Sequence, residues 1–259
     1  MREFGLIGFP ITHSFSEKYF AEKFQREHIS DASYKLFPID SIEKIPELIS
    51  AHPNLVGLNV TIPYKEKVIP FLDELDETAK AVGAVNTIFI SRLKSQISSL
   101  KGYNTDVHGF RQSIKPFLTS AHERALILGT GGASKAVEYV LKQIGVDCIF
   151  VSREKKNILP KGQAGKTILT YDELNSYVMD SCKLIVNCSP VGTFPNVNEF
   201  PKLPYESIAK SHLLYDLIYN PAETEFLKKG KANGAEIMNG LDMLKMQAEK
   251  AWEIWNSKI

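Results

Sequence analysis

The sequence lacks the residue clusters from which structural metal sites and disulfide frameworks are built. It contains three cysteines in 259 residues, Cys148, Cys182 and Cys188, and no C-x-x-C pair. Its six histidines are scattered and form no cluster with ligand spacing. We therefore expect no structural zinc or other metal. The cysteines lie in or beside apolar runs, which favours reduced, buried thiols and a cytoplasmic protein.

The sequence also lacks an excess of charge of either sign and any long apolar run. The formal net charge is +1, so no global field would attract nucleic acid or an anionic membrane. The apolar run in "MREFGLIGFP" is too short for a signal peptide or a membrane span, and no later run is long enough. We expect a small-molecule substrate, no nucleic-acid or membrane partner, and a monomer or homodimer.

Strand-like and helix-like segments alternate along the chain, which is typical of parallel sheets covered by helices on both faces. The predicted strands are "FGLIGF", "YKLFPI", "LVGLNVTI", "AVNTIFIS", "LKGYNT", "ALILG", "DCIFVSR", "KLIVNCSP" and "LLYDLIYNP". The predicted helices are "SEKYFAEKFQREH" with Ser16 as its N-cap, "SIEKIPELIS", "KEKVIPFL", "DETAKAVG", "DVHGFRQSIKPF", "TGGASKAVEYVLKQIG", "ETEFLKKGKANG" and "GLDMLKMQAEKAWEIW". The predicted fold class is α/β, and a boundary near residue 105 would divide the chain into two α/β halves.

A glycine-rich turn in "LILGTGGASKAVEYV" lies between a predicted strand and a predicted helix. Gly129 permits a tight turn, and Gly131 allows a pyrophosphate to approach the backbone at the amino end of the helix. The third position of the G-x-G-x-x-G fingerprint is Ser134 instead of Gly or Ala. The pattern favours a dinucleotide-binding unit, and the alternative is an ordinary tight turn of a doubly wound sheet.

The end of the next strand bears on which dinucleotide would bind. It reads "VSREKK", so Ser152 and Arg153 stand where an NAD-binding unit usually has Asp or Glu. A guanidinium there can stack on adenine and pair with a 2′-phosphate, and Lys155 and Lys156 lie nearby. This favours NADP, although Glu154 is a discordant negative charge and a solvated basic loop is the alternative.

Polar residues are scattered at the predicted strand ends of the first half. They are Ser14, Ser16, Asn59, Thr61, Lys65, Asn86 and Asp106. Each of them taken singly is more typical of a helix cap or a turn than of a binding site. Together, their hydroxyls and amides could surround a small polyol, and Lys65, which follows the strand stop at Pro63, suits an oxyanion or a carboxylate.

Eight motifs in order resemble those of the shikimate dehydrogenase family, over nearly the whole chain. They are "GFPITHSFS", "GLNVTIPYKEKV", "GAVNT", "GYNTDVHGF", "GTGGASKA", "NCSPVG", "YDLIYNP" and "NGLDMLKMQA". The resemblance implies reversible, NADPH-dependent reduction of 3-dehydroshikimate to shikimate, on the route to chorismate and the aromatic amino acids. It implies a substrate domain, residues 1–105, joined by the closing helix 241–259, and a Rossmann-like NADP domain, 106–240. The active site would lie in the cleft between these domains.

The resemblance also implies roles for individual residues. Ser14 and Ser16 would bind the substrate carboxylate, and Lys65 and Asp106 would form the catalytic pair. The residues expected to hold ring hydroxyls or otherwise reach the substrate are Asn59, Thr61, Asn86, Asp106, Tyr219 and Gln247. The residues expected to bind NADP are Gly129, Thr130, Gly131, Gly132, Ala133, Ser152, Arg153, Lys156, Leu217 and Gly240.

One departure from the family pattern bears on the cofactor. The family's usual Asn-Arg-Thr after the second nucleotide strand is "SRE" here, which keeps Arg153 but puts Glu154 in the place of Thr. Three alternatives stay open at this stage: a quinate-using or NAD-preferring relative, a non-catalytic regulator that binds dinucleotide or shikimate, and a folate-type dehydrogenase of similar layout.

Overall fold

The computed structural model describes residues 1–11, 14–93, 96–154 and 167–257. The chain divides into two compact units, the first made of residues 1–108 together with the chain from Gln247 onward, the second of Gly109–Met246. Each unit contains one sheet with helices, and most strand pairs are parallel. The predicted α/β class is therefore confirmed.

The first unit is built on a sheet whose described strands have the order β2-β1-β3-β5-β6-β4. These strands are β1 (Arg2–Gly8), β2 (Ala32–Pro38), β3 (Leu55–Val60), β4 (Glu74–Leu75), β5 (Thr87–Leu93) and β6 (Gln96–Tyr103). The helices are α1 (Phe15–Arg26), α2 (Ile45–Ala51), α3 (Glu77–Val82), the start of α4 (Asp106–Ile114) and the greater part of α8 (Leu241–Asn256). β1 pairs in parallel with β2 and β3, whereas β5 runs antiparallel to β3 and β6.

Both faces of this sheet are covered at its centre, which explains why β1 and β3 are buried almost throughout. On one face, Ile7, Leu58 and Val60 belong to a buried cluster that includes residues of α2. On the other face, Phe4 packs with residues of α1 and α8. Successive side chains along a strand point to opposite faces of the sheet, so they are divided between two buried cores.

The packing of α8 on the second face of this sheet depends on a glycine. Trp255 of α8 is fully buried, and its indole Nε1 donates to the carbonyl oxygen of Ile88 over 2.9 Å. A Cβ atom at Gly57 would lie 2.1 Å from that Nε1, so no larger residue fits beneath the ring. The absence of a side chain at Gly57 therefore allows α8 to pack on the sheet through Trp255.

The second unit has a sheet of described strands in the order β12-β11-β10-β7-β8-β9, and its pairings are parallel. These strands are β7 (Arg124–Leu128), β8 (Asp147–Ser152), β9 (Thr167–Thr170), β10 (Leu184–Asn187), β11 (Leu213–Asp216) and β12 (Glu236–Met238). The helices that lie wholly in this unit are α5 (Gly132–Gln143), α6 (Ser176–Ser181) and α7 (Glu225–Ala232). Counted within the unit, the strand order is that of a dinucleotide-binding fold, with its switch point between β7 and β10.

Several local predictions are wrong. "KEKVIPFL" forms only a 3-10 turn over Ile69–Phe71, because Pro70 lacks the N–H that an α-helix needs and Leu72 is already extended. The N-cap of α1 is Ser14, whose side chain accepts from the backbone N–H of Ser16. The short elements β4, β9, α6 and β12 were not expected. Cys182 is buried as predicted, whereas Cys148 and Cys188 are partly buried, and none of the three forms a disulfide.

Within the described ranges, the helices are all too short or too polar to cross a bilayer.

We predict that Gly57→Ala lowers the free energy of unfolding by about 1–3 kcal/mol, because overpacking displaces Trp255 or the strand beneath it. The midpoint of urea unfolding measures this loss. Gly131→Ala is the comparison, since an added Cβ there has no neighbour within 4 Å, and its loss should be limited to about 0.5–1 kcal/mol from a weaker N-cap of α5. Equal stability of the two variants would contradict the packing role of Gly57.

Candidate active site

Lys65 is fixed at the carboxyl end of the first sheet by its backbone. After β3 ends, the N–H of Thr61 donates to the carbonyl of Ile7 and the N–H of Tyr64 donates to the carbonyl of Thr61. The carbonyl of Lys65 accepts from the N–H of Val85 over 2.7 Å. The tight turn over residues 61–64, which contains Pro63, therefore sets the position of the Lys65 backbone.

Asp106 meets Lys65 from another part of the chain. It lies in the first turn of α4, where the helix dipole favours a negative charge. The Lys65 Nζ donates to the Asp106 Oδ2 over 2.6 Å, and 17% of the lysine side chain and 8% of the aspartate side chain are exposed. The pair is thus largely shielded from water, while the ammonium keeps an opening to a ligand.

Asn86 joins this pair to a buried amide and hydroxyl network. Its Nδ2 donates to the Asp106 Oδ1 over 2.8 Å and to the Thr105 Oγ1 over 3.0 Å. The same Nδ2 lies 3.4 Å from the Oε1 of Gln247 on α8. Its Oδ1 accepts from the backbone N–H of Thr105 over 2.7 Å, which sets the orientation of the amide. Four of the predicted residues, Lys65, Asn86, Asp106 and Gln247, therefore form one connected cluster.

The remaining predicted residues of this unit lie around that cluster or hold its backbone. Asn59 is buried at the end of β3, and its Nδ2 donates to the Thr87 Oγ1 over 3.2 Å. Ser14 and Ser16 open α1, with the Ser14 Oγ accepting from the Ser16 N–H over 3.1 Å. Thr61 is partly buried, and it packs so closely on β1 that a Cβ at Gly8 would lie 2.5 Å from its Cγ2.

Two threonines of the network were not singled out from the sequence. Thr87 and Thr105 are almost fully buried, and their hydroxyl oxygens lie 3.2 Å apart. Each directly follows an asparagine, in "GAVNT" and "GYNT". The repeated Asn-Thr pair was the available signal, because a buried amide needs a hydroxyl neighbour to satisfy its hydrogen bonds.

In the second unit, the glycine turn has the geometry of a phosphate cradle. Gly129 has φ of +104°, a conformation that favours glycine, and its N–H donates to the carbonyl of Val151. Gly131 is the N-cap of α5, and an added Cβ would enter open space in front of the helix. Thr130, Gly132 and Ala133 complete the turn and begin the helix. The free N–H groups of the first helical turn and this open approach fit a pyrophosphate.

Ser134 explains the departure from the simple fingerprint. It is fully buried, and its Oγ donates to the carbonyl of Gly131 over 2.5 Å. The hydroxyl thus folds back onto the turn and is satisfied, so a serine can occupy the position where Gly or Ala allows close packing.

The end of β8 places Ser152 partly buried, with Arg153 and Glu154 exposed after it. Arg153 lies close enough to Tyr171 to lower its pKa electrostatically, although burial is the larger effect and raises that pKa. Lys156 and its neighbour Lys155 lie outside the described residues.

Leu217 and Gly240 lie against each other. A Cβ at Gly240 would be 2.1 Å from the carbonyl oxygen of Leu217, and the N–H of Gly240 donates to the carbonyl of Ile218. Tyr219, two residues after Leu217, is 37% exposed. This close backbone approach fixes the segment at the carboxyl end of β11.

Asp216 stabilises the same segment through hydrogen bonds. Its Oδ1 accepts from the N–H of Ile218 over 3.1 Å and from the Asn187 Nδ2 over 3.0 Å, and its Oδ2 accepts from the Thr224 Oγ1 over 2.6 Å. Burial raises the pKa of this carboxyl to about 6, against the lowering effect of the three hydrogen bonds.

Comparison with known proteins places this geometry in a family. The sequence model of the shikimate dehydrogenase substrate binding domain matches residues 6–88. The shikimate dehydrogenase (NADP(+)) of Carboxydothermus hydrogenoformans is 38% identical over 260 residues, which cover 97% of this chain and 90% of the relative. The chain belongs to the shikimate dehydrogenase family.

Solved structures of the family agree along the whole fold. Shikimate dehydrogenase from Aquifex aeolicus has a TM-score of 0.85 at 33% identity, covering 99% of this chain and 93% of that chain. The Thermus thermophilus enzyme, solved with NADP(H) and shikimate, has a TM-score of 0.84 at 28% identity, covering 99% and 94%. The resemblance stated from the eight motifs is thus confirmed for this shikimate dehydrogenase family member.

We predict that Asp216 makes the stability of the protein depend on pH. Its pKa in the folded state, about 6, exceeds the ordinary value of 3.8, so the folded state binds this proton more tightly than the unfolded state. The stabilisation is complete below the ordinary value and is lost as the pH rises through about 6. A shift of this size corresponds to about 3 kcal/mol.

Asp216→Asn is the comparison, because the amide cannot ionise and keeps an oxygen for Ile218 and Asn187. Urea unfolding of both proteins between pH 4 and 8 measures the effect. The stability of the wild type relative to the variant should fall across this range. A difference that does not change with pH would show that Asp216 is not the group concerned.

Proposed function

We propose that the protein is an NADP-dependent shikimate dehydrogenase, which interconverts 3-dehydroshikimate and shikimate on the route to chorismate. The observation that carries the proposal is the largely buried ion pair of Lys65 and Asp106, 2.6 Å apart, which Asn86 supports within the family fold. The relatives named above, including one solved with shikimate and NADP(H), support this substrate and this cofactor.

Lys65 is the residue that would handle the proton. When a carbonyl becomes an alcohol, its oxygen needs positive charge or a proton, and the ammonium can supply both. Asp106 orients this group through its Oδ2 and leaves its Oδ1 to the amide of Asn86. In the oxidation of shikimate, the same lysine would accept the proton from the hydroxyl.

The surrounding polar residues would place the ring. Ser14 and Ser16, at the start of α1, would bind the carboxylate of the substrate. Asn86, Asp106 and Gln247 would receive ring hydroxyls, a role that suits amide and carboxylate groups already held in place. Asn59 and Thr61 would support the same side of the ring, and Tyr219 would reach the substrate from the second unit.

The second unit would hold the cofactor. Gly129, Thr130, Gly131, Gly132 and Ala133 would bind the pyrophosphate at the amino end of α5, where the open space in front of Gly131 fits it. Ser152, Arg153 and Lys156 would hold the adenosine 2′-phosphate, and Leu217 and Gly240 would lie against the nicotinamide. When bound, the nicotinamide supplies or accepts the hydride of the reaction.

The assignment of domains and the setting of the protein belong to the same proposal. Residues 1–105 with the helix 241–259 would form the substrate domain, and 106–240 the NADP domain. The protein would act in the cytoplasm, as its three reduced cysteines favour, and would be a monomer or homodimer.

The central assay measures reduction of the nicotinamide when shikimate or quinate is supplied with NADP⁺ or NAD⁺. Turnover with shikimate and NADP⁺ at the highest kcat/KM supports the proposal. A higher value with quinate or NAD⁺ would identify a family member of different specificity. Absence of turnover with all four pairs would indicate a binding protein and not an enzyme.

We predict that Lys65→Met lowers kcat by about 100-fold or more, because proton transfer by a positioned group contributes roughly 10²–10⁴ in rate. The dissociation constant for shikimate should change only a few-fold. Lys67→Met is the matched control, since Lys67 is exposed on the same segment, and it should keep kcat within about two-fold. A raised KM with unchanged kcat in the Lys65 variant would show a binding role alone.

We predict that Arg153→Ala raises the KM for NADP⁺ about ten-fold and leaves the KM for NAD⁺ within about two-fold. The reason is that a charge-assisted hydrogen bond to a phosphate contributes about 1.5–3 kcal/mol. Glu154→Thr should act in the opposite direction by removing a nearby negative charge. Equal effects of the Arg153 variant on both cofactors would exclude a role in 2′-phosphate recognition.

A further inference from the structure

Tyr34 lies at one end of the buried polar network of the first unit. It belongs to β2, an edge strand of the described sheet, and its ring stacks on Phe20 of α1 with ring centres 4.5 Å apart. Its hydroxyl donates to the Asn59 Oδ1 over 2.8 Å. Burial raises the pKa of this phenol well above its ordinary range, so it remains a neutral hydrogen-bond donor.

From Asn59 the hydrogen bonds continue in one direction to the catalytic pair. The Asn59 Nδ2 donates to the Thr87 Oγ1 over 3.2 Å, and the Thr87 Oγ1 donates to the Asn86 Oδ1 over 3.2 Å. Asn86 then donates to Asp106 over 2.8 Å. Each amide in this series of hydrogen bonds has a fixed orientation because a donor faces its oxygen and an acceptor faces its nitrogen.

On its other side, the phenol of Tyr34 meets the start of α1. The Ser16 side chain lies close enough to the Tyr34 phenol to lower its pKa, against the larger raising effect of burial. Ser16 is buried, and its backbone N–H is held by Ser14, the N-cap of the helix. The phenol of Tyr34 thus donates to the first amide of the series that leads to Asp106 and lies beside the serine pair.

We propose that Tyr34 is a positioning residue that fixes the distance and orientation between the serine pair and the Asn59–Asn86–Asp106 chain. The inference rests on the proposed function, in which these two groups bind opposite ends of one substrate. Without the phenol, the Asn59 amide loses the donor that orients its oxygen, and Ser16 loses a polar neighbour. Thr105 still holds Asn86 through its backbone N–H, so Lys65 and Asp106 stay paired and the carboxylate end of the site is affected more.

The test is Tyr34→Phe, which removes one oxygen and keeps the ring that stacks on Phe20. We expect kcat/KM for shikimate to fall about ten-fold, mainly through KM, because the Asn59 amide loses the hydrogen bond that orients it. The KM for NADP⁺ should stay within about two-fold, which also reports that the variant is folded.

Shikimate methyl ester distinguishes positioning from general damage. The ester lacks the negative charge that Ser14 and Ser16 would bind, so its kcat/KM should fall by less than about two-fold in the Tyr34→Phe variant. Equal losses for shikimate and its ester would overturn the inference, because a disturbed fold affects both substrates alike.

Tyr205→Phe is the matched control. It removes a phenol oxygen that donates to the carbonyl of Pro201 over 2.8 Å in the second unit, and it should leave kcat/KM for shikimate within about two-fold. A Tyr34 variant with wild-type kcat/KM would overturn the positioning role while the proposed function stands. Lack of shikimate turnover by the wild type would instead overturn the proposed function.

Discussion

Asn86 is the residue on which the polar end of the first unit depends. Its side chain contacts Asp106, Thr105, Thr87 and Gln247 while being almost entirely buried. Leaving a buried amide without one of its partners costs about the free energy of a lost hydrogen bond. The network is therefore stable only when all of its members are present. The orientation of Asp106, and through it that of Lys65, follows from this requirement.

The second unit meets a similar requirement with different groups. Asp216 is a buried carboxylate whose hydrogen bonds come from an amide, a hydroxyl and a backbone N–H. These contacts fix the segment that carries Leu217. The glycine turn fixes the other predicted end of the cofactor site, through the positive φ of Gly129 and the N-cap at Gly131. In this unit, backbone conformation therefore positions the predicted cofactor-binding segments more than charged side chains do.

The sequence predicts those features that rest on local pattern. Alternating and apolar runs located the long strands, and Gly129 with Gly131 located the turn before α5, because these signals lie within a few residues of each other. The short strands β4, β9 and β12 carry too few residues to show a period. In "KEKVIPFL", Pro70 argues against a helix, whereas the spacing of the apolar residues favours one, and the prediction followed the spacing.

The site itself could be predicted only in part. Lys65 and Asp106 are 41 residues apart, and no spacing rule brings them within 2.6 Å, so the family motifs supplied the pairing that local pattern could not. Tyr34 gave no signal at all, since a tyrosine in a strand is ordinary and its partner Asn59 lies on another strand. Such contacts depend on sheet order and on which face a side chain takes.

The fit of Trp255 over Gly57 has a consequence for synthesis on the ribosome. The first unit is discontinuous, because residues 109–246 are made between its two parts. The apolar surface of Phe4, Phe20 and Gly57 therefore emerges long before the helix that covers it. The second unit is continuous and can fold while that surface is still open. The greater part of the helix that covers this surface is therefore synthesised only after the whole of the second unit.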